Sequence, residues 1–279
     1  MRVASYLRPE RMSEALAALA DMPWTILAGG TDFYPARVGR PLDEDVLDIT
    51  ALEELRGIRR EGAGWRIPAL VTWTEIAEDE GVPPLFDGLK VAARAIGGVQ
   101  IQNAGTLCGN ICNASPAADG VPNLLALDAE VELVSKRGAR RLPLDAFITG
   151  NRATSRAADE LVGALLIPDP GPARSAFLKL GARKYLVISI VMAAFVLAVE
   201  KERVAAARIA IGSCSAVARR LPTLEAALAG RPLTPALAEI ATAAHLAPLA
   251  PIDDVRGTAA YRREAALTLI RRGLAALGQ

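Results

Sequence analysis

Thr25-Ile26-Leu27-Ala28-Gly29-Gly30-Thr31-Asp32 is the stretch on which the reading of this chain turns. Its first four residues are a short apolar run, rich enough in β-formers for a buried strand. The run ends in two glycines. A glycine pair after a strand lets the backbone turn sharply and approach a ligand closely. Successive exposed N–H groups in such a turn form an anion-binding nest, and Thr31 adds a hydroxyl donor. The pattern suits a pyrophosphate, but glycine pairs also end strands that bind nothing, with Asp32 serving as a helix cap. The spacing is neither the G-x-G-x-x-G fingerprint nor a P-loop, since no Walker lysine follows.

A second stretch works with the first. Gln100-Ile101-Gln102-Asn103-Ala104-Gly105-Thr106-Leu107-Cys108-Gly109-Asn110-Ile111 alternates small residues with hydrogen-bonding side chains and continues to Asp119. Residues 105–119 lack helical or strand periodicity and read as a long loop. Loops of that length inside a compact domain are usually functional.

Working outward, helical spacing predicts a helix over Glu14–Ala20 with Ser13 as its N-cap. Val46–Ile49 and Trp65–Thr72 read as strands, Glu75–Ala77 as a short helix, and Leu85–Ile96 as a helix stopped by Gly97-Gly98. The breaker cluster Ile167-Pro168-Asp169-Pro170-Gly171-Pro172 marks a domain boundary. This divides the chain into residues 1–170, with subdomains of about 1–55 and 56–170, and residues 171–279. Beyond it, Phe177–Leu180 reads as a strand. Ala193–Val199 and Val204–Ile211 read as a hairpin around Glu200–Arg203. Three helices are expected at Leu221–Ala229, Pro235–His245 and Arg256–Leu277.

The 279 residues are 52% hydrophobic and 23% charged, which suits a folded chain with a sizeable core. With 32 basic against 31 acidic residues, nothing favours nucleic acid as the main partner. The most apolar stretch, 185–199, falls short of the roughly 20 residues that span a bilayer and reads as buried core. No secretory signal is visible at the start. Three cysteines, Cys108, Cys112 and Cys214, point to reduced thiols in the cytoplasm. The single histidine, His245, is remote in sequence from them and reads as an ordinary helix residue rather than a metal ligand.

The two stretches, followed by Pro122-Asn123-Leu124-Leu125-Ala126-Leu127-Asp128 and then by Glu160–Pro168, Phe177–Tyr185 and Ile252–Arg263, resemble the FAD-binding subunit of the molybdenum hydroxylases, the family of xanthine dehydrogenases and aerobic carbon monoxide dehydrogenases. The likeness runs nearly end to end. It implies an α+β fold: a two-subdomain FAD-binding domain of the p-cresol methylhydroxylase type, followed by a small C-terminal domain of antiparallel sheet and helices. It also implies a non-covalent FAD. By position, Ile26, Leu27, Ala28, Gly29, Gly30, Thr31, Asp32 and Phe33 resemble the loop around the pyrophosphate. Thr106, Leu107, Cys108, Gly109 and Asn110 resemble the second phosphate- and ribityl-binding loop. Ile96 and Val162 match apolar or backbone contacts, Asp119 an acidic contact, and Lys179 a lysine near the flavin that would tune its potential.

The resemblance further implies an oxidoreductase subunit in a heteromeric complex, a dimer of heterotrimers. A large subunit would hold the molybdenum cofactor and a small one two [2Fe–2S] clusters. This chain would pass electrons from those clusters through FAD to an acceptor, with NAD, oxygen or a quinone all open. The competing readings are a stand-alone flavin-dependent oxidase or dehydrogenase, which needs a catalytic pair beside the flavin, and a flavin-less scaffold. Two positions depart from the family. Cys108 stands where glycine is usual, which would cost about 1 kcal/mol if the position needs positive φ. Gln102 stands where arginine is frequent.

Overall fold

In the computed structural model, which describes residues 4–279, the chain opens with β1 (Tyr6–Leu7), α1 (Met12–Asp21), β2 (Thr25–Leu27) and β3 (Val46–Asp48). The three strands form a parallel sheet in the order β1-β3-β2. Parallel neighbours need a crossover, so residues 28–45 must leave the sheet and return. The glycine pair sits where they leave. Helix α1 buries Ala15 and Leu19. It starts at Met12, so Ser13 lies inside it rather than at its cap. Arg11 is the N-cap and makes no side-chain cap; Glu14 reaches back to the Glu10 N–H instead.

A second sheet is antiparallel, in the order β4-β5-β10-β6-β7. Its elements run β4 (Arg59–Glu61), β5 (Gly64–Pro68), α2 (Trp73–Glu78), α3 (Asp87–Ala95), α4 (Val99–Ala104), α5 (Leu107–Asn113), α6 (Gly120–Ala126), β6 (Glu130–Ser135), β7 (Gly138–Pro143), α7 (Leu144–Phe147), β8 (Ile148–Gly150), β9 (Ala153–Thr154) and β10 (Leu161–Pro168). The expected strand over Trp65–Thr72 stops at Pro68. Thr72 caps α2 in a reciprocal capping box with Glu75. The expected loop over 105–119 holds a helix at its centre, α5: Thr106 caps it by accepting from the Gly109 N–H at 2.9 Å. Its small residues masked the periodicity, yet Leu107, Cys108 and Ile111 form a buried face.

The third sheet is antiparallel, β11 (Ala173–Leu180), β12 (Val191–Glu200), β13 (Arg203–Gly212) and β14 (Arg219–Arg220), in chain order. The β12–β13 hairpin closes on Lys201 and Glu202, both at positive φ, the two-residue turn that matches strand twist. Helices α8 (Pro222–Leu228), α9 (Leu237–Ile240) and α10 (Ala259–Leu277) follow. The single helix expected over Pro235–His245 is interrupted at Ala241, whose backbone is extended. His245 lies in a 3-10 turn beyond it and accepts from the Thr242 N–H. The last helix begins at Ala259, capped by Thr258, rather than at Arg256.

β12 explains the longest apolar run. Met192, Ala194 and Val196 join the large core that also fills the second sheet, while Val191, Ala193, Phe195 and Leu197 join the core beneath α8 and α10. Buried on both faces, the strand cannot alternate with polar residues. The run is not buried throughout, however: Tyr185, Leu186 and Ile188 ahead of β12 are more than half exposed. On the other flank, α3 lies so close to β11 that a Cβ on Gly88 would meet the Ala176 backbone at 2.9 Å.

One charged group is sunk into this architecture. Arg262, on α10, is 3% exposed. It donates to the carbonyls of Ile190 (2.5 Å) and Ser213 (3.0 Å) and to Asp254 (2.6 Å). The Arg256 N–H and the Arg262 guanidinium hold the Asp254 carboxyl down to about 2, against partial burial. A carboxyl lowered on folding adds stability above its ordinary value, and that stability is lost as pH falls toward the folded value. Asp254→Asn should therefore lower the denaturation midpoint at neutral pH and flatten the wild type's loss of stability between about pH 4 and pH 2. Thermal melts across that range measure both.

Candidate cofactor-binding site

The β2 loop and the α4–α5 segment meet at a contact that only glycine allows. A Cβ on Gly29 would stand 1.7 Å from the Ala104 carbonyl oxygen. Gly30 has φ +70, a left-handed conformation that a side chain strains. Between these two segments opens a cleft of about 560 Å³, a size typical of small-molecule and cofactor sites.

One wall comes from the parallel sheet. The N–H groups of Gly29 through Phe33 donate to no protein acceptor among the described residues. Five consecutive free donors at a strand end constitute an anion-binding concavity. The turn is held from outside. The Tyr34 N–H bonds the Gly30 carbonyl, and Arg37 donates to the Phe33 carbonyl at 2.7 Å while its guanidinium stacks 3.7 Å over the Phe33 ring.

The opposite wall is α5 with the ends of β9 and β10. Thr106, Cys108, Gly109, Asn110, Cys112 and Asn113 face the cleft, with Thr154, Arg156, Leu161 and Val162 beside them. Trp73, Ile96 and Ile101 add apolar lining. Gly105 and Gly120 pack against Trp73, where a Cβ would come within 3.3 Å and 2.8 Å of its ring. Asn110 accepts from the Gly120 N–H at 3.2 Å, tying α5 to α6. Arg152 bridges the walls: it pairs with Asp32 at 2.7 Å and hydrogen-bonds the Asn113 side chain.

Fourteen of the residues singled out from sequence line this cleft: Ile26 through Phe33, Ile96, Thr106, Cys108, Gly109, Asn110 and Val162. Leu107, Asp119 and Lys179 stand outside its lining. Leu107 is fully buried, its N–H bonded to the Val71 carbonyl. Asp119 and Lys179 bond each other at 2.6 Å, and Ser189 donates to the other Asp119 oxygen at 2.6 Å. Burial pushes the Asp119 carboxyl up, with Lys179 and Ser189 pulling it back. The sequence reading did not assign Trp24, Ile49, Trp73, Asn113, Thr154 or Arg156 to the site. The one local hint for the last two was Gly150-Asn151-Arg152, a turn signal ahead of a polar stretch.

Neither departure from the family pattern harms the cleft. Cys108 lies within α5 and has no positive φ, so no strain arises. Burial pushes its thiol well up, so it stays neutral. The Gln102 amide donates to the Ile96 carbonyl at 2.9 Å and the Arg94 carbonyl at 3.2 Å, closing the end of α3. Among the described residues no cluster of three or more His, Cys, Asp or Glu side chains is placed to hold a metal. No helix there is long and apolar enough to cross a membrane.

A cleft between a small parallel sheet and a larger antiparallel one, with free main-chain donors on one wall and the polar side chains of Thr106, Asn110, Asn113, Thr154 and Arg156 beside apolar Leu161 and Val162 on the other, suits a phosphate-bearing dinucleotide. Residues 2–170 match the family described as the FAD binding domain in molybdopterin dehydrogenase, and residues 176–277 that described as the CO dehydrogenase flavoprotein C-terminal domain. The chain is 31% identical to the xanthine dehydrogenase FAD-binding subunit of Escherichia coli O157:H7, over 96% of this chain and 94% of that one. It is likewise 31% identical to the nicotine 6-hydroxylase medium subunit of Paenarthrobacter nicotinovorans, over 98% and 96%. Among solved structures, reconstituted CO dehydrogenase from Oligotropha carboxidovorans superposes with a TM-score of 0.91 at 26% identity, covering 99% of this chain and 98% of that one. The chain belongs to the FAD-binding medium subunits of the molybdenum hydroxylase family, and its class is oxidoreductase.

Gly29→Ala should lower the denaturation midpoint by the equivalent of about 2 kcal/mol or more and sharply weaken FAD binding, since backbone meets backbone there. Gly39, unlike Gly29, has a positive φ, but nothing lies within 4 Å of a Cβ placed there. Gly39→Ala should cost about 1 kcal/mol and leave FAD binding intact. Cys108→Gly should leave FAD affinity unchanged and destabilise the chain by about 1 kcal/mol, the cost of a helical glycine. Urea titration and FAD titration of the three variants check these expectations.

Proposed function

We propose that this chain is the electron-relay subunit of a cytoplasmic three-subunit hydroxylase and holds one FAD non-covalently. The observation that carries the reading is the run of free N–H groups from Gly29 to Phe33, facing a cleft shared by both walls. Those donors would hold the pyrophosphate with no side-chain charge of their own. Thr106 fixes the first turn of α5, and Asn110 presents an amide to the polar middle of the cofactor. Trp73, Ile96, Leu161 and Val162 would exclude water from its rings. The bound FAD supplies the redox chemistry.

The proposed partners follow from the family. A large subunit carries the molybdenum cofactor and oxidises the substrate, and a small subunit carries [2Fe–2S] clusters, two of each trimer forming the complex. Electrons leave to an acceptor such as NAD. Residues 1–170 and 171–279 act as two units. The Asp119–Lys179 pair links the start of α6 to β11 and sets a fixed field behind the cleft, which would tune the flavin potential.

The chain expressed alone and purified should be yellow. It should release about one FAD per chain into the supernatant on acid precipitation, as a non-covalently held cofactor does. Colour that stays with the pellet, or a folded chain that takes up no added FAD, would refute the reading. Copurification with a molybdenum-containing and an iron–sulfur subunit from the native host tests the partner assignment separately.

A further inference from the structure

Two side chains that are charged at neutral pH line the cleft: Asp32 and Arg156. Asp32 is answered by Arg152. Arg156 is different. Among the described residues it makes no ion pair, and both of its hydrogen bonds leave from Nη1, to the carbonyl oxygens of Ala157 (3.0 Å) and Glu160 (2.6 Å). Those two main-chain acceptors fix the guanidinium where β10 begins. Among the described residues its Nε and Nη2 have no protein acceptor; they are accessible rather than buried, and the residue lines the cleft.

A half-buried guanidinium held rigidly with free donors calls for an anion. The main-chain donors on the facing wall carry only partial charges, so Arg156 is the one unpaired full positive charge on the lining. We propose that Arg156 binds an anionic group of the dinucleotide cofactor. This deepens the flavoprotein reading and rests on it. That group is either the pyrophosphate or the polar edge of the isoalloxazine, which carries negative charge when the ring is reduced.

The test uses the full chain, stripped of FAD and titrated with FAD, ADP and riboflavin. Arg156→Leu and Arg156→Lys are compared with wild type, and the midpoint potential of each FAD-loaded form is measured. For the pyrophosphate, Arg156→Leu weakens FAD and ADP together by roughly tenfold or more, leaves riboflavin unchanged, and Arg156→Lys recovers most of the loss. For the isoalloxazine, ADP binds Arg156→Leu as it binds wild type, while the midpoint potential falls and lysine restores it. Unchanged affinities and an unchanged potential in a folded Arg156→Leu variant overturn the assignment while leaving the flavoprotein reading standing. Wild-type chain that binds no FAD overturns both.

Discussion

The close approach of Gly29 to the Ala104 carbonyl is the constraint on which the rest of the cleft depends. It brings the end of a parallel strand against the junction of two short helices, with no side chain between. Because the backbones touch there, the loop after β2 has to turn at once. In that turn the N–H groups of Gly29 to Phe33 have no acceptor among the described residues. The donors are free because the packing is tight, so the structural and ligand-binding roles of the glycine pair are one requirement. Thr106, Gly105 and Trp73 complete the arrangement by setting where α5 begins.

Much of this was legible in the residues. The glycine pair, the hairpin at Glu200–Arg203 and the strands at 25–27 and 46–48 follow from local chemistry that tertiary packing did not override. The α5 segment was not legible, because its face is built from Cys108, Gly109 and Asn110 as much as from Leu107 and Ile111. A helix without a stripe of large apolar residues shows no period. The very short strands β1 and β4 were missed for a related reason. Two or three residues cannot carry an alternation, and both are exposed along their length. Within the site, the β2 loop could be found because its glycine pair follows directly on an apolar run and is matched by a second small, polar stretch. Arg156 could not, since nothing near it in sequence says that its guanidinium lacks a carboxylate.

The third sheet packs against two cores at once. β12 gives alternate residues to two different cores, so neither face of that sheet is free to separate from its neighbour without exposing large apolar area. The Asp119–Lys179–Ser189 cluster adds a polar fastening across the same boundary. Its carboxylate is costly to bury and is compensated only with both partners in place. The relative position of α6 and β11 is thereby fixed.

The smallest sheet has a consequence of its own. Its strands are two or three residues long, so few ladder hydrogen bonds hold the first 50 residues to one another. Such a unit opens locally at low free energy while larger sheets stay closed. A ligand gripped by both walls binds only the closed form and raises the free energy of opening with its own concentration. Amide exchange in residues 25–49 would then slow as cofactor is added, far more than in β12. Loss of the cofactor would leave this end of the chain the first place a protease could enter.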